Sequence, residues 1–218
     1  MRRCRLLPTP VVMSDPRRAP DVAVILAAGA GTRMGTPKAR LPWLGAPLAF
    51  AHARAALDAG CARAVIVVRA DVAAQLGPGV PRGASIVISL EDDSHGPAGS
   101  IRAFVVNDGD AVPDDAWIAI SPVDVHPDAW RALGAMFDAG ADSTPCDAIR
   151  PRCDGRRGHP VLVRAARVRA HFGAESTPGA VLSSLRNLLA SLGNRVIDIE
   201  VDLPAVTTDM DTPGDLPR

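Results

Sequence analysis

The chain has 218 residues, 47% of them apolar, and a formal net charge of zero, so it can bury a core and is not a disordered polyelectrolyte. Balanced charge, absent tyrosine and 3% aromatics argue against a nucleic-acid-binding surface, which would need basic stripes or stacking platforms. No apolar run reaches the roughly 18 residues of a membrane span, and Cys4, Cys61, Cys146 and Cys153 lack CxxC spacing, so they read as reduced thiols of a cytoplasmic protein.

The head, "MRRCRLLPTPVVMSDPRRAPD", has Pro8 and Pro10 inside its apolar run, which breaks a signal-peptide core. Residues 1–20 read as a disordered head, with Met13 as an alternative start. Val22 to Leu26 is a β-branched, apolar run and predicts a buried strand. A glycine-rich loop follows, and then a helix from Pro47 to Gly60 with Leu48, Ala51 and Ala55 on its packed face. "ARAVIVVRA" and "ASIVISL" predict a second and a third strand, and "GSIRAFVVND" a helix from near Gly99. "AWIAISPVDVHP" predicts a fourth strand that stops at Pro122, Asp124 and Pro127. "PDAWRALGAMFDAG" predicts a helix burying Trp130, Leu133 and Phe137.

Beyond Gly140 the pattern changes. "DAIRPRCDGRRGHPVLV" reads as two strands joined by a Gly/Arg-rich turn, "PGAVLSSLRNLLASLG" as an amphipathic helix and "RVIDIEV" as a last strand. Near the end Thr212 is placed to cap a short helix, with Pro213 at its first position and Asp215 at its third. Strands alternating with helices predict one α/β domain over residues 21–218 with a largely parallel sheet. Ligands of such sheets gather beyond the carboxyl ends of the strands, where the glycine loop and Asp124 both fall.

The loop "ILAAGAGTRMGTPK" has Gly29, Gly31 and Gly35 in GxGxxxG spacing, not the GxGxxG of dinucleotide binders. No acidic residue ends the second strand, where Arg69 stands, and Lys38 follows Pro37 with no Ser or Thr after it, so the P-loop pattern fails too. A ligand-free turn is one reading. A triphosphate cradle is the other: glycines let N–H groups face an anion, Arg33 can fork onto phosphate, and Pro37 stiffens the approach of the Lys38 charge.

"LAAGAGTRMGTPKARLPWLGAPL" resembles the signature of the MobA-like nucleotidyltransferases, LAAGxGxRMGxPK, and within them most resembles the molybdenum cofactor cytidylyltransferase branch. The likeness runs from about Val22 to Leu216. It implies a three-layer α/β/α, Rossmann-like nucleotidyltransferase fold with a mostly parallel mixed sheet. It also implies that Leu26, Ala27, Ala28, Gly29, Gly31 and Gly35 contact the nucleotide, with Lys38 and Arg33 as the catalytic cations. "GPAGSIRA" resembles a second nucleotide-contacting segment that brings Ser100 near ribose or base. "SPVDVHP" resembles the segment carrying a metal-binding aspartate, here Asp124, although Ser-Pro-Val stands where many relatives have Gly-Asp. "DMDTPGDL" resembles the closing motif with a second carboxylate, Asp211 before Asp209. "GRRGHPVLV" resembles the RGHP segment, which would place Arg157 and His159 on the acceptor side.

The resemblance thus implies a Mg²⁺-dependent enzyme (Mn²⁺ being the other candidate ion) that transfers CMP from CTP to a small phosphorylated acceptor, a molybdopterin, and releases pyrophosphate. The arginines at 150, 152, 156 and 157 bracket RGHP and suit an anionic acceptor. A sugar 1-phosphate as acceptor, or a binding protein without turnover, remain as alternatives. His52 reads as a surface or core residue, His126 as a cap, and His95 and His171 as exposed.

Overall fold

The computed structural model describes residues 19–29, 35–90, 96–141, 145–173 and 184–216. Gly31 and Arg33, the head through residue 18, Cys4 and His95 lie outside these residues. The expected strands form: β1 (Val22–Leu26), β4 (Arg63–Arg69), β5 (Ala84–Ser89) and β6 (Trp117–Pro122) pair in parallel in the order β6-β1-β4-β5. Between β1 and β4 stand a small antiparallel hairpin, β2 (Pro42–Trp43) and β3 (Ala46–Pro47), and helix α1 (Leu48–Asp58). Helix α2 (Ala70–Leu76) follows β4, and α3 (Gly96–Asp108) joins β5 to β6. Helix α3 starts at Gly96, a turn before the position expected from the sequence.

The second half adds a short α4 (Leu133–Met136), β7 (Ala148–Cys153), β8 (Arg156–Arg157), β9 (Val161–Arg164), α5 (Ala165–Phe172), α6 (Leu185–Leu192) and β10 (Val196–Glu200). Strand β9 runs antiparallel between β6 and β7, β10 lies parallel on β7, and β8 folds back on β7. The result is a mixed sheet of order β10-β7-β9-β6-β1-β4-β5, with β8 beside β7. The expected two-strand excursion is therefore three strands, because Asp154 and Gly155 turn the chain back at once into β8.

Side-chain alternation puts a core on each face of the sheet. Ala23, Ile25, Ala64, Ile66 and Ala119 face α1 and the 127–141 segment, while Val22, Val24, Val65, Val67 and Ile118 face α3, α5 and α6. Helix–sheet–helix layering is thus the α/β architecture expected from the sequence. Segment 127–141 buries Trp130, Leu133 and Phe137 as expected, yet it winds as a 3₁₀ stretch, a short α-turn and a π-turn. Helix α1 packs on Leu48, Ala49, His52, Ala53 and Ala56; Ala51 and Ala55 are only half-buried, which rotates the packed face from the expected one. Cys61, Cys146 and Cys153 are free thiols, and no helix among the described residues is long and apolar enough to cross a membrane.

Candidate functional site

Three segments meet at the carboxyl edge of β1 and β6. The first leaves β1. Ala27 N–H still donates to Val67 O (2.8 Å), and Val123 N–H donates to Leu26 O (3.0 Å), so the strand ends tied on both sides. Leu26 and Ala27 are buried and can offer only backbone to a ligand, whereas Ala28 is half-exposed and Gly29 exposed. Gly35 has φ +68°, a left-handed conformation that side chains disfavour. Pro37 then directs the chain into a 3₁₀ turn, Lys38–Arg40, with Leu41 N–H bonded to Lys38 O (3.1 Å). Ala39 and Leu41 anchor this turn in the core, leaving the Lys38 side chain to reach over the sheet edge.

The second segment follows β6. Val123 and Val125 are buried on either side of Asp124, so the carboxylate is the one member of the trio turned outward. His126 accepts from Asp128 N–H through Nδ1 (3.1 Å), which makes it the cap expected from the sequence. Its ring also meets the Trp43 ring edge-on, at 4.9 Å between centroids, and so ties the hairpin to the Asp124 turn.

The third segment runs antiparallel to the second: His126 N–H donates to Thr208 O (3.0 Å), Val125 bridges Asp209, and Met210 N–H donates to Asp124 O (2.6 Å). Met210 is fully buried, and strand-like alternation therefore turns Asp209 and Asp211 to the same outer side. Asp215 accepts from Asp211 N–H (3.0 Å), Thr212 N–H (2.7 Å) and Thr212 Oγ1 (2.9 Å), which is the capping arrangement expected of this sequence. Bonding to the Thr212 backbone is the main reason the Asp215 pKa lies below the ordinary carboxylate value.

Lys38 joins the segments. Its Nζ lies 2.6 Å from Asp211 Oδ1 and 3.3 Å from Asp124 Oδ2. Burial works against the ammonium, but the bond to Asp211 and the charges of Asp124 and Asp211 outweigh it and raise its pKa above the ordinary lysine value. Burial, with the charges of Asp124 and Asp211, raises the Asp209 pKa above the ordinary carboxylate value. Of the two carboxylates named in the closing motif, Asp211 is the one that shares the ammonium with Asp124.

Among the described residues no three His, Cys, Asp or Glu side chains converge closely enough to hold a metal ion by themselves. Two carboxylates around one cation nevertheless suit Mg²⁺ or Mn²⁺, which take one or two carboxylates and complete their shell with water and phosphate oxygens. The ammonium in this seat is a stand-in cation, and the residues present fit such an ion.

His159 reaches the same edge. Its backbone N–H donates to Val206 O (2.8 Å), and Gly158 N–H donates to Pro151 O (2.9 Å). Burial lowers the His159 pKa; the Ile120 carbonyl and the Asp124 and Asp209 charges act in the opposite direction. Its Nδ1 is shut off from solvent and finds no hydrogen-bond partner among the described residues. Arg157 points elsewhere. Its Nε meets Asp198 Oδ2 (3.3 Å), Asp198 also holds Arg150 (2.8 Å), Arg152 lies 4.0 Å from Glu200, and Arg156 bonds Thr207 O (3.1 Å). The arginine cluster is thus largely engaged with β10 and the chain after it. Ser100 is the fifth residue of α3 and has 3% of its surface exposed. His52 is a core residue, bonded to Trp130, a partnership no sequence spacing signals.

The sequence matches the model of the MobA-like NTP transferase domain over residues 23–196. The chain belongs to that family. Solved structures similar to it include Rv0371c from Mycobacterium tuberculosis, at 23% identity and a TM-score of 0.67 over 91% of this chain and 96% of that one. A second structure of Rv0371c, in complex with manganese, aligns at 21% identity and a TM-score of 0.61 over 84% and 89% of the two chains. A nucleotidyl transferase from Methanothermobacter aligns at 19% identity and a TM-score of 0.60 over 89% and 93%. These likenesses carry the nucleotidyltransferase fold. No curated protein matches the sequence.

Proposed function

We propose that this MobA-like NTP transferase is a divalent-metal-dependent cytidylyltransferase acting on a small phosphorylated acceptor of the molybdopterin type. The observation that carries the reading is the convergence of Lys38, Asp124 and Asp211 beside the glycine loop. The backbone of Leu26, Ala27, Ala28 and Gly29 would line the path of a triphosphate, and the loop glycines Gly31 and Gly35 would complete the cradle. An oxygen of the acceptor phosphate attacks the α-phosphorus of the nucleotide, the bond to the bridging oxygen breaks, and pyrophosphate departs with that oxygen. The acceptor is already anionic at neutral pH, so no side chain need form a covalent intermediate.

Asp124 and Asp211 would hold Mg²⁺ or Mn²⁺, the latter being the ion bound in the Rv0371c complex; such an ion neutralises charge on the reacting phosphates. Lys38, released from the carboxylates, and Arg33 would neutralise charge on the α-phosphate and the leaving group. Ser100 would lie at the ribose and His159 at the acceptor, and Arg157 would have to leave Asp198 to meet the acceptor phosphate. In-line positioning of the two phosphates provides much of the acceleration.

Pyrophosphate release tests this, with CTP, GTP, ATP and UTP each paired with molybdopterin and with a panel of sugar 1-phosphates. Release with CTP and the pterin is the expected result. Release only with a sugar phosphate would keep the chemistry and replace the acceptor. Binding of CTP without release under any pairing would make the protein a carrier.

A further inference from the structure

Among the described residues the sheet ends on β10 at one side and on β5 at the other. The two edges are built differently. Strand β10 carries Asp198 and Glu200, and charge on an edge strand discourages a second chain from pairing with it. Strand β5, Ala84–Ser89, has neither a charge nor a proline, and the next residue, Leu90, is 93% exposed. An uncharged, β-branched edge of this kind is a template for another strand.

The register on β4 fixes which backbone groups face that edge. Ala64 pairs with Ala84, and its N–H donates to Gly83 O (3.0 Å). In a parallel ladder the bonded residues alternate, so Ser85, Val87 and Ser89 turn their N–H and C=O groups to β4. Ile86 and Ile88 turn theirs outward. Side chains alternate as well: Ala84, Ile86 and Ile88 pack on the α1 face of the sheet and Val87 on the α3 face.

The segment Ser85-Ile86-Val87-Ile88-Ser89 reads the same in both directions. A second copy laid antiparallel on this edge, with Val87 on the two-fold axis, therefore meets its own complement. Ile86 opposes Ile88 of the second copy, Ile88 opposes Ile86, and Ser85 opposes Ser89. The isoleucines are the residues whose backbone groups face outward, so each opposed pair exchanges both of its hydrogen bonds. Their side chains then meet as β-branched cross-strand pairs on one face. In the same register the exposed Leu90 falls opposite Ala84 of the other copy.

We propose that two copies of this chain join through β5 in a two-fold antiparallel pairing centred on Val87, giving one continuous sheet across the dimer. Assembly closes at two, because the pairing occupies both β5 edges and leaves only the charged β10 edges. The pairing is independent of the nucleotidyl chemistry.

Sedimentation and light scattering of the full chain, from micromolar to submillimolar concentration, read the mass against the 22.7 kDa of one chain. A concentration-dependent species of twice that mass is expected. Ile88→Pro removes an outward N–H and leaves the ladder to β4 intact, and Leu90→Lys places a charge at an exposed position beyond the strand. The dimer dissociation constant should rise about 30-fold or more in the first and about tenfold in the second. Leu44→Lys, 79% exposed on the hairpin beside the Asp124 turn, should leave it unchanged.

Cross-linking reads the register. In a Cys4→Ser background, Val87→Cys brings two thiols together on the axis, with Cβ atoms about 4.5–5.5 Å apart, and oxidation should link the dimer. Ser85→Cys sets its two thiols about 13 Å apart, four residues along the strand, and should not link. A monomer at every concentration would overturn the proposal. So would a dimer that both Ile88→Pro and Leu90→Lys leave intact, or one that links through Ser85→Cys and not through Val87→Cys. If Ile88→Pro does not fold, Leu90→Lys and the cysteine variants carry the test alone.

Discussion

Gly158→Ala is a one-carbon perturbation whose cost can be worked out from the coordinates. A Cβ on Gly158 would stand 2.2 Å from the carbonyl oxygen of Val206 and 2.6 Å from its carbon. Both atoms are backbone, so no rotamer relieves the overlap and one of the two segments must move. The displaced carbonyl is the acceptor for His159 N–H at 2.8 Å. Overpacking of this kind costs about 1–3 kcal/mol, and the weakened hydrogen bond adds about 1 kcal/mol, for a total of roughly 2–4 kcal/mol. In a domain of this size each kcal/mol moves the melting temperature by about 2–4 °C, so Tm should fall by roughly 4–16 °C. The damage should also reach the site, because the Val206 turn leads directly into Thr208, Asp209 and Met210, which zip onto the Asp124 turn. Calorimetric melting and pyrophosphate release, the latter well below the variant's Tm, test both links. A variant that melts within about 1 °C of wild type and turns over normally would refute the packing argument, since even unremarkable surface substitutions span about ±0.5 kcal/mol.

Further outcomes follow from the same geometry. Lys38→Ala should lower pyrophosphate release about 100-fold or more, as loss of a charge-stabilising donor does elsewhere; turnover within about threefold of wild type, roughly 0.7 kcal/mol of barrier, would remove Lys38 from the chemistry. The same variant should bind Mn²⁺ more tightly in the absence of nucleotide, because the ammonium no longer holds Asp124 and Asp211; weaker binding in a paramagnetic titration would contradict the stand-in role. Asp211→Asn should weaken Mn²⁺ binding more than Asp209→Asn, and the reverse order would exchange their assignments. Stability should fall on acidification below the ordinary histidine value of 6.5: the unfolded chain takes a proton there, while folded His52 stays neutral down to about 4. The loss should total about 3 kcal/mol across that window, with none above it. His159 shifts in the same direction through burial, so the diagnostic is the difference between wild type and His52→Gln in urea titrations from pH 7 to 4. Parallel curves would show that His52 does not carry the effect.

Much of this architecture was legible because β-branched runs bounded by Gly, Pro and Asp have few other fates. β1, β4, β5 and β6 stand where the pattern placed them. The hairpin Pro42–Pro47 was not legible: each strand is two residues long, too short for any alternation to show. Helix α5 follows β9 without a Gly or Pro between them, so no break in composition marks its start. The packed face of α1 rotated because alanines surround it, which leaves little apolar contrast to fix a direction. In the site, Lys38 and the aspartates came from motif resemblance, and the sequence held no sign that the ammonium would sit between them. The His52–Trp130 pair joins residues 78 apart and left no trace in any spacing.

The build of the site explains why like charges tolerate one another there. Each charged side chain leaves a stretch whose neighbours are locked in the core: Ala39 and Leu41 beside Lys38, Val123 and Val125 beside Asp124, Met210 between Asp209 and Asp211. The backbone therefore cannot relax to separate the carboxylates, and their repulsion must be met by a cation in place. In this structure that cation is Lys38. Asp124, Asp211 and Lys38 together leave an excess negative charge, and Asp209 deepens it. A nucleoside triphosphate approaching alone would meet that field as a polyanion and be repelled. Under the proposed function Asp124 and Asp211 would hold a divalent ion that offsets this charge, and Lys38 would then be available to the phosphates. Under the proposed function metal and nucleotide binding are then coupled through one side chain, and the coupling lies in the 2.6 Å and 3.3 Å contacts of Lys38.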